Sequence, residues 1–344
     1  MSQDIDIRTV GRAGRITLNR PQALNALTYE MCLAIEQALD AWATDDEVAL
    51  VAIDAAGERA FCSGGDIAQM YATAKAGDYG YGRKFWADEY RLNAKIFNFP
   101  KPYAAFMQGF TMGGGVGISC HGSHRVVGDT SQIAMPECGI GLVPDVGGSL
   151  LLSRAPGRLG EYLGTTGTRM SAGDAILAEF ADYFIPEAVW PEVIRTLENT
   201  GDVATIDRAA EAAPEARLTG VLGQIDGCFG GESSGDILRA LRADGSDFAQ
   251  GAIKALGRQS PLSVACTIEM IHRIRGADTI ERALDLEYRF VWRSAEDGDF
   301  IEGIRAAIID KDRNPKWRHG GIEDVTAGDV SRMLMPLGPN ALKL

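Results

Sequence analysis

The sequence predicts an α/β fold followed by a helical region, and three observations carry that prediction. Short apolar runs alternate with glycine loops and helical periodicity over the first half of the chain. Two of the glycine loops directly follow strand-like runs. Beyond about Pro186 the pattern becomes helical and no further strand run is found.

In chain order, Ile5 to Val10 and Arg15 to Leu18 flank a Gly11–Gly14 turn and read as a hairpin. Asn19 to Thr28 is a loop. Met31, Ile35, Leu39 and Trp42 recur at helical spacing, so Tyr29 to Trp42 is an amphipathic helix. Strands follow at Val48 to Ile53 and Tyr103 to Met107, a helix opens at Gly113, and His124 to Val127 and Gln132 to Ala134 add further strands. Helices are expected at Leu218 to Ile225, Asp236 to Arg242, Phe248 to Leu256, Val264 to Ile274 and Thr279 to Trp292. The tract GGESSGD, Gly230 to Asp236, reads as a flexible loop. A proline and a composition shift near Phe184 to Glu187 divide the chain into regions 1–186 and 187–344.

The 344 residues are 46% hydrophobic and 24% charged, which suits a packed globular protein. A net charge of −13 repels phosphate and argues against a general nucleic-acid or anionic-membrane binder. The least polar stretch, Ala104 to Cys120, contains Gln108 and Thr111 and is glycine-crowded, a poor membrane span. MSQDIDIRTV resembles neither a signal peptide nor a presequence, so the expected address is the cytoplasm. The six cysteines lack CxxC spacing and read as reduced packing residues.

Three segments hold the chemistry-bearing residues. FCSGGD (Phe61 to Asp66) and GFTMGGGVG (Gly109 to Gly117) leave strand-like runs and can bare backbone N–H groups, two of which would form an oxyanion hole. Neither carries a phosphate-loop lysine or the GxGxxG spacing, which weakens nucleotide hydrolysis and hydride transfer. MPECGIGLVPDVGG (Met135 to Gly148) places Glu137 and Asp145 close together, where burial would raise a carboxyl toward neutral pKa and equip it as base or nucleophile. A turn cap and an Asx-turn are the plainer roles for the same pair. Glu89, in KFWADEYRLNAKI, reads by default as a charge on a helix face. Cys120, His121 and His124 lack further ligands at metal spacing, no serine stands in a complete GxSxG elbow, and Cys62 has no histidine nearby in sequence.

The two glycine loops, followed by a strand and MPE, resemble the crotonase (enoyl-coenzyme A hydratase/isomerase) superfamily over roughly Arg15 to Pro186. That resemblance implies a spiral core of repeated ββα units, a helical C-terminal region, and trimers or hexamers. It implies that Gly65 and Gly114 hold the thioester oxygen through their N–H groups. It also aligns Glu137 with the second glutamate of the hydratases and puts Gly117 where their first stands. PDVGG, which brings in Asp145, and EGIRAAIIDKDRNPKW, Glu302 to Trp317, look like the 3-hydroxyisobutyryl-coenzyme A hydrolase branch, where a glutamate aligned with Glu89 lines the substrate site.

The activity so implied is hydrolysis of a small 3-hydroxyacyl-coenzyme A thioester, as in valine breakdown, with no metal or separate cofactor because coenzyme A is part of the substrate. An enoyl-coenzyme A hydratase or isomerase using Glu137 alone is the nearest rival, and a non-catalytic acyl-coenzyme A binder is the rival from another class. Arg59, or the cluster Lys311, Arg313, Lys316 and Arg318, is the expected contact for the coenzyme A phosphates.

Overall fold

The computed structural model describes residues 4–277 and 279–344. They group into two compact units that interleave along the chain: residues 4–66, 91–134 and 169–217 form a sheet unit, and 67–90, 135–168 and 218–344 a helical one. A single cut after residue 186 does not describe this grouping. Trp190, Val193 and Leu197, on the apolar face of helix Trp190–Thr200, belong to the sheet core, with Trp190 edge-on to Phe106 at 5.5 Å. Segment 135–168 in turn supplies helices Gly148–Arg154 and Leu159–Thr166, which pack on the late helix Pro261–Arg275.

Within the sheet unit, β1 (Ile5–Val10) and β2 (Ala13–Leu18) form the hairpin, with Ile5 opposite Leu18 and Val10 opposite Ala13. The remaining strands come in consecutive pairs: β3 (Leu50–Ala55) and β4 (Ala60–Cys62), β5 (Tyr103–Met107) and β6 (Phe110–Met112), β7 (His124–Val127) and β8 (Gln132–Ala134). One member of each pair joins a six-stranded sheet of order β1-β2-β3-β5-β7-β9, closed by β9 (Tyr183–Phe184). The other joins a three-stranded sheet, β4-β6-β8. All pairings after the hairpin are parallel, and this pairwise distribution is the ββα spiral. Ala13, Leu50, Ala52, Ala104, Phe106 and Val126 fill its core, as expected of parallel strands that read as continuous apolar runs.

No strand follows Phe184 among the described residues. Helix Pro261–Arg275 is central to the helical unit, buried at nearly every apolar position. Gly160 lets its helix approach closely, since a Cβ there would meet the Leu152 carbonyl oxygen at 1.9 Å. GGESSGD is not the loop its composition suggests. Ser233 and Asp236 form a reciprocal capping box, so helix Ser234–Asp244 starts inside the tract. All six cysteines are buried and unpaired as disulfides.

Candidate active site

In the sheet unit the glycine loops are brought together because their parent strands pair. Ala60 and Cys62 of β4 register with Phe110 and Thr111 of β6. Gly64 takes φ +115°, a conformation L side chains resist, and turns the first loop. Leu27 N–H donates to the Gly64 carbonyl (2.9 Å) and Asp66 N–H to the Leu27 carbonyl (2.8 Å). Both bonds of this bridge flank Gly65, so Gly65 turns its own N–H to the opposite side. Arg20 anchors the loop end by pairing with Asp66 at 3.2 Å.

In the second loop Gly113, at φ +48° and ψ −120°, precedes helix Gly114–Ser119. Val116 and Gly117 make the first bonds back to the Gly113 carbonyl, which leaves the Gly114 N–H ahead of the helical ladder. At Gly115 a Cβ would lie 2.6 Å from the Cys62 carbonyl oxygen, so glycine is what lets the two loops touch.

The carboxyls gather in the helical unit. Glu137 opens a 3-10 turn, Glu137–Ile140, directly after Pro136. The turn is braced from the far end of the sequence: a Cβ at Gly303, in helix Phe300–Ile304, would stand 2.1 Å from the Ile140 carbonyl oxygen. Asp145 precedes two residues with positive φ, Val146 (+54°) and Gly147 (+80°), and its carbonyl accepts from Gly148 N–H at 2.7 Å. Glu89 and Tyr90 come from helix Gly80–Phe97. Glu89, Glu137 and Asp145 are each about 5% exposed or less, and Tyr90 is fully buried.

Tyr90 donates its hydroxyl to Asp145 Oδ2 at 2.8 Å. Among the described residues, Glu137 Oε2 and Glu89 Oε1 have no hydrogen-bond partner. Burial pushes Glu89 up to about 8, helped by the Asp145 charge. Burial likewise lifts Glu137 well above the usual carboxylate range, with Asp145 and Glu287 adding repulsion. Asp145 rises only to about 7, because the hydrogen bond from Tyr90 offsets part of its burial. Such a group holds acid and base forms near neutral pH, the condition for proton transfer.

Sequence reasoning missed Tyr90 and Glu287. Glu287, fully buried on helix Ile280–Ser294, accepts from Gly147 N–H (2.8 Å), Ser149 N–H (3.0 Å) and the Ser149 hydroxyl. Its signal was present: Ala283, Phe290 and Val291 flank it at helical spacing, which puts a glutamate on an apolar stripe. Tyr90 had no local signal beyond its place beside Glu89.

Arg59 is exposed on the approach to β4, in the sheet unit. All four residues of the C-terminal basic cluster are exposed; Lys316 and Arg318 line a pocket of about 290 Å³ with Tyr71, Lys75 and Arg305, and Lys311 and Arg313 do not. Cys120, His121 and His124 do not converge: Cys120 Sγ lies against Met107 sulfur, and His124 stacks on Tyr183. Among the described residues no group of acidic, histidine or cysteine side chains could hold a metal, and no helix is long and apolar enough to cross a membrane.

Paired strands in a ββα spiral, two touching glycine loops and the buried carboxyl of MPE, Glu137, define a crotonase-type protein. The family model for enoyl-CoA hydratase/isomerase matches residues 13–334, and the chain belongs to that family. It is 37% identical to the mitochondrial 3-hydroxyisobutyryl-CoA hydrolase of Gallus gallus, over 99% of this chain and 91% of that protein. A crystal structure of an enoyl-CoA hydratase from Rhodobacter sphaeroides superposes with a TM-score of 0.96 at 56% identity, covering 99% of this chain and all of that one. A carnitinyl-CoA dehydratase structure from Mycobacterium thermoresistibile gives a TM-score of 0.94 at 41% identity, with 99% of each chain covered.

Proposed function

We propose that this chain hydrolyses the thioester of a small 3-hydroxyacyl-coenzyme A, 3-hydroxyisobutyryl-coenzyme A first among them. One observation carries the reading: Glu137 and Asp145 share a buried carboxyl cluster, while Gly117 stands where a hydratase would place its other glutamate. Near-full-length identity to a protein named 3-hydroxyisobutyryl-CoA hydrolase supports it.

In this proposal the N–H groups of Gly65 and Gly114 take the thioester oxygen and stabilise the oxyanion that develops on it. Glu137 either takes a proton from the water that attacks the carbonyl, or attacks the carbonyl itself to form a mixed anhydride that a water then hydrolyses. The acyl C–S bond breaks, coenzyme A leaves as the thiol, and the acyl group leaves as the 3-hydroxy acid. Asp145 orients the acyl hydroxyl or the water, Glu89 lines the acyl site, and Arg59 meets the coenzyme A phosphates. No step calls for a metal or a further cofactor.

The name of the Rhodobacter sphaeroides structure, an enoyl-CoA hydratase, fits in part the rival reading, an enoyl-coenzyme A hydratase or isomerase. A substrate panel separates the two. Free-thiol release from 3-hydroxyisobutyryl- and 3-hydroxypropionyl-coenzyme A, with acetyl- and crotonoyl-coenzyme A left nearly untouched, is the expected result. Loss of the conjugated enoyl absorbance of crotonoyl-coenzyme A without thiol release would replace hydrolysis by hydration.

A further inference from the structure

Asp145 sits in a tight turn, braced locally by the bond from Gly148 N–H to the Asp145 carbonyl at 2.7 Å. Val146 and Gly147 both take positive φ, so the chain turns sharply as it leaves the carboxyl. Two groups from distant helices fix it. Tyr90 reaches the side chain, with its hydroxyl 2.8 Å from Oδ2. Glu287 reaches the backbone, accepting from the N–H groups of Gly147 and Ser149 and from the Ser149 hydroxyl. Both side chains are fully buried.

We infer that Tyr90 and Glu287 are positioning residues, one orienting the Asp145 carboxyl and the other the loop that carries it. The inference rests on the hydrolase reading for its kinetic consequence, though not for its geometry. Tyr90 has more than a packing role. Its ring packs edge-on to Tyr288 at 6.1 Å, and phenylalanine would keep that contact while losing only the hydroxyl. A hydroxyl donated to a carboxylate favours the ionised form. Facing Asp145 are Glu89 beside Tyr90 on helix Gly80–Phe97, Glu137 on its own segment and Glu287 on helix Ile280–Ser294, all acidic. Tyr90 thereby offsets part of the burial that raises the Asp145 carboxyl among these acidic neighbours.

The test is a carboxyl titration of the substrate-free enzyme by NMR, with 13C-labelled aspartate and the Asp145 signal assigned from its loss in Asp145→Asn. Alongside it run pH profiles of thiol release from 3-hydroxyisobutyryl-coenzyme A. Tyr90→Phe raises the Asp145 midpoint by about one pH unit. Glu287→Gln places an amide donor against an N–H of the loop. It lowers kcat about tenfold while KM stays within about twofold. An Asp145 midpoint that does not move in Tyr90→Phe overturns the assignment of Tyr90, and an unchanged kcat in folded Glu287→Gln overturns that of Glu287. Wild type that releases no thiol at any pH overturns the hydrolase reading instead, and the NMR titration then still decides the role of Tyr90.

Discussion

The sheet unit and the helical unit prepare for chemistry in opposite ways. In the sheet unit the distinctive groups are backbone: two glycine loops, leaving paired strands, turn out N–H groups with no side chain involved. In the helical unit they are side chains: Glu89, Tyr90, Glu137, Asp145 and Glu287, buried where, among the described residues, no lysine or arginine pairs with them. A backbone site needs space, and one methyl group destroys it. A buried carboxyl cluster needs protons, and pH governs it.

The largest expected effect falls on the backbone side. Gly115→Ala would drive a Cβ to 2.6 Å from the Cys62 carbonyl oxygen, so the loops must part and the Gly114 N–H moves with them. Thiol release should fall about 10²- to 10³-fold, the loss typical of one oxyanion donor. A folded Gly115→Ala protein with wild-type kcat would remove the sheet unit from the catalytic account.

Gly303→Ala makes the matching test on the side-chain side. Its Cβ would meet the Ile140 carbonyl oxygen at 2.1 Å, in the turn that carries Glu137. A kcat about tenfold lower and a stability loss of about 1–3 kcal/mol by denaturant titration are expected. A kcat loss that disappears when the rate is normalised to the folded fraction would point to general unfolding rather than to a displaced glutamate.

The smallest effect distinguishes the units by pH. Glu89 and Glu287 ionise near pH 8 and Asp145 near 7 in the folded protein, against about 4 when unfolded. Between those values the folded state binds more protons than the unfolded one, so stability is full below about pH 4 and declines as pH rises through 7 to 8. Each such group contributes a slope of up to about 1.4 kcal/mol per pH unit. Glu89→Gln should therefore melt at a higher temperature than wild type at pH 8 and close to it at pH 4. A melting temperature equal to wild type at both pH values would show that the cluster does not hold its protons.

The same contrast governs what could be read in advance. Loops, strands and the pair Glu137 and Asp145 are legible because each depends on residues adjacent in sequence: a strand run, a glycine, a proline turn. The hairpin and the helix over Tyr29 to Trp42 are legible from local pattern, although β2 begins at Ala13, inside the expected Gly11–Gly14 turn. The cluster around Asp145 depends on Tyr90, 55 residues before it, and Glu287 reaches its loop from 138 to 140 residues away, separations that no local pattern encodes. Glu89 was readable by resemblance only, since a charge on a helix face is ordinarily solvated. The interleaved grouping is hidden from the sequence for a similar reason: helix Trp190–Thr200 belongs with the sheet core, and the segment carrying Glu137 and Asp145 with the late helices it packs against.

The central claim is that buried Glu137 does the chemistry on a bound thioester. Glu137→Gln, nearly isosteric and uncharged, should bind 3-hydroxyisobutyryl-coenzyme A by calorimetry within a few-fold of wild-type affinity. Its single-turnover thiol release should be at least about 10²-fold slower. Tight binding with the rate lost is the predicted result; thiol release at the wild-type rate from Glu137→Gln would contradict the account.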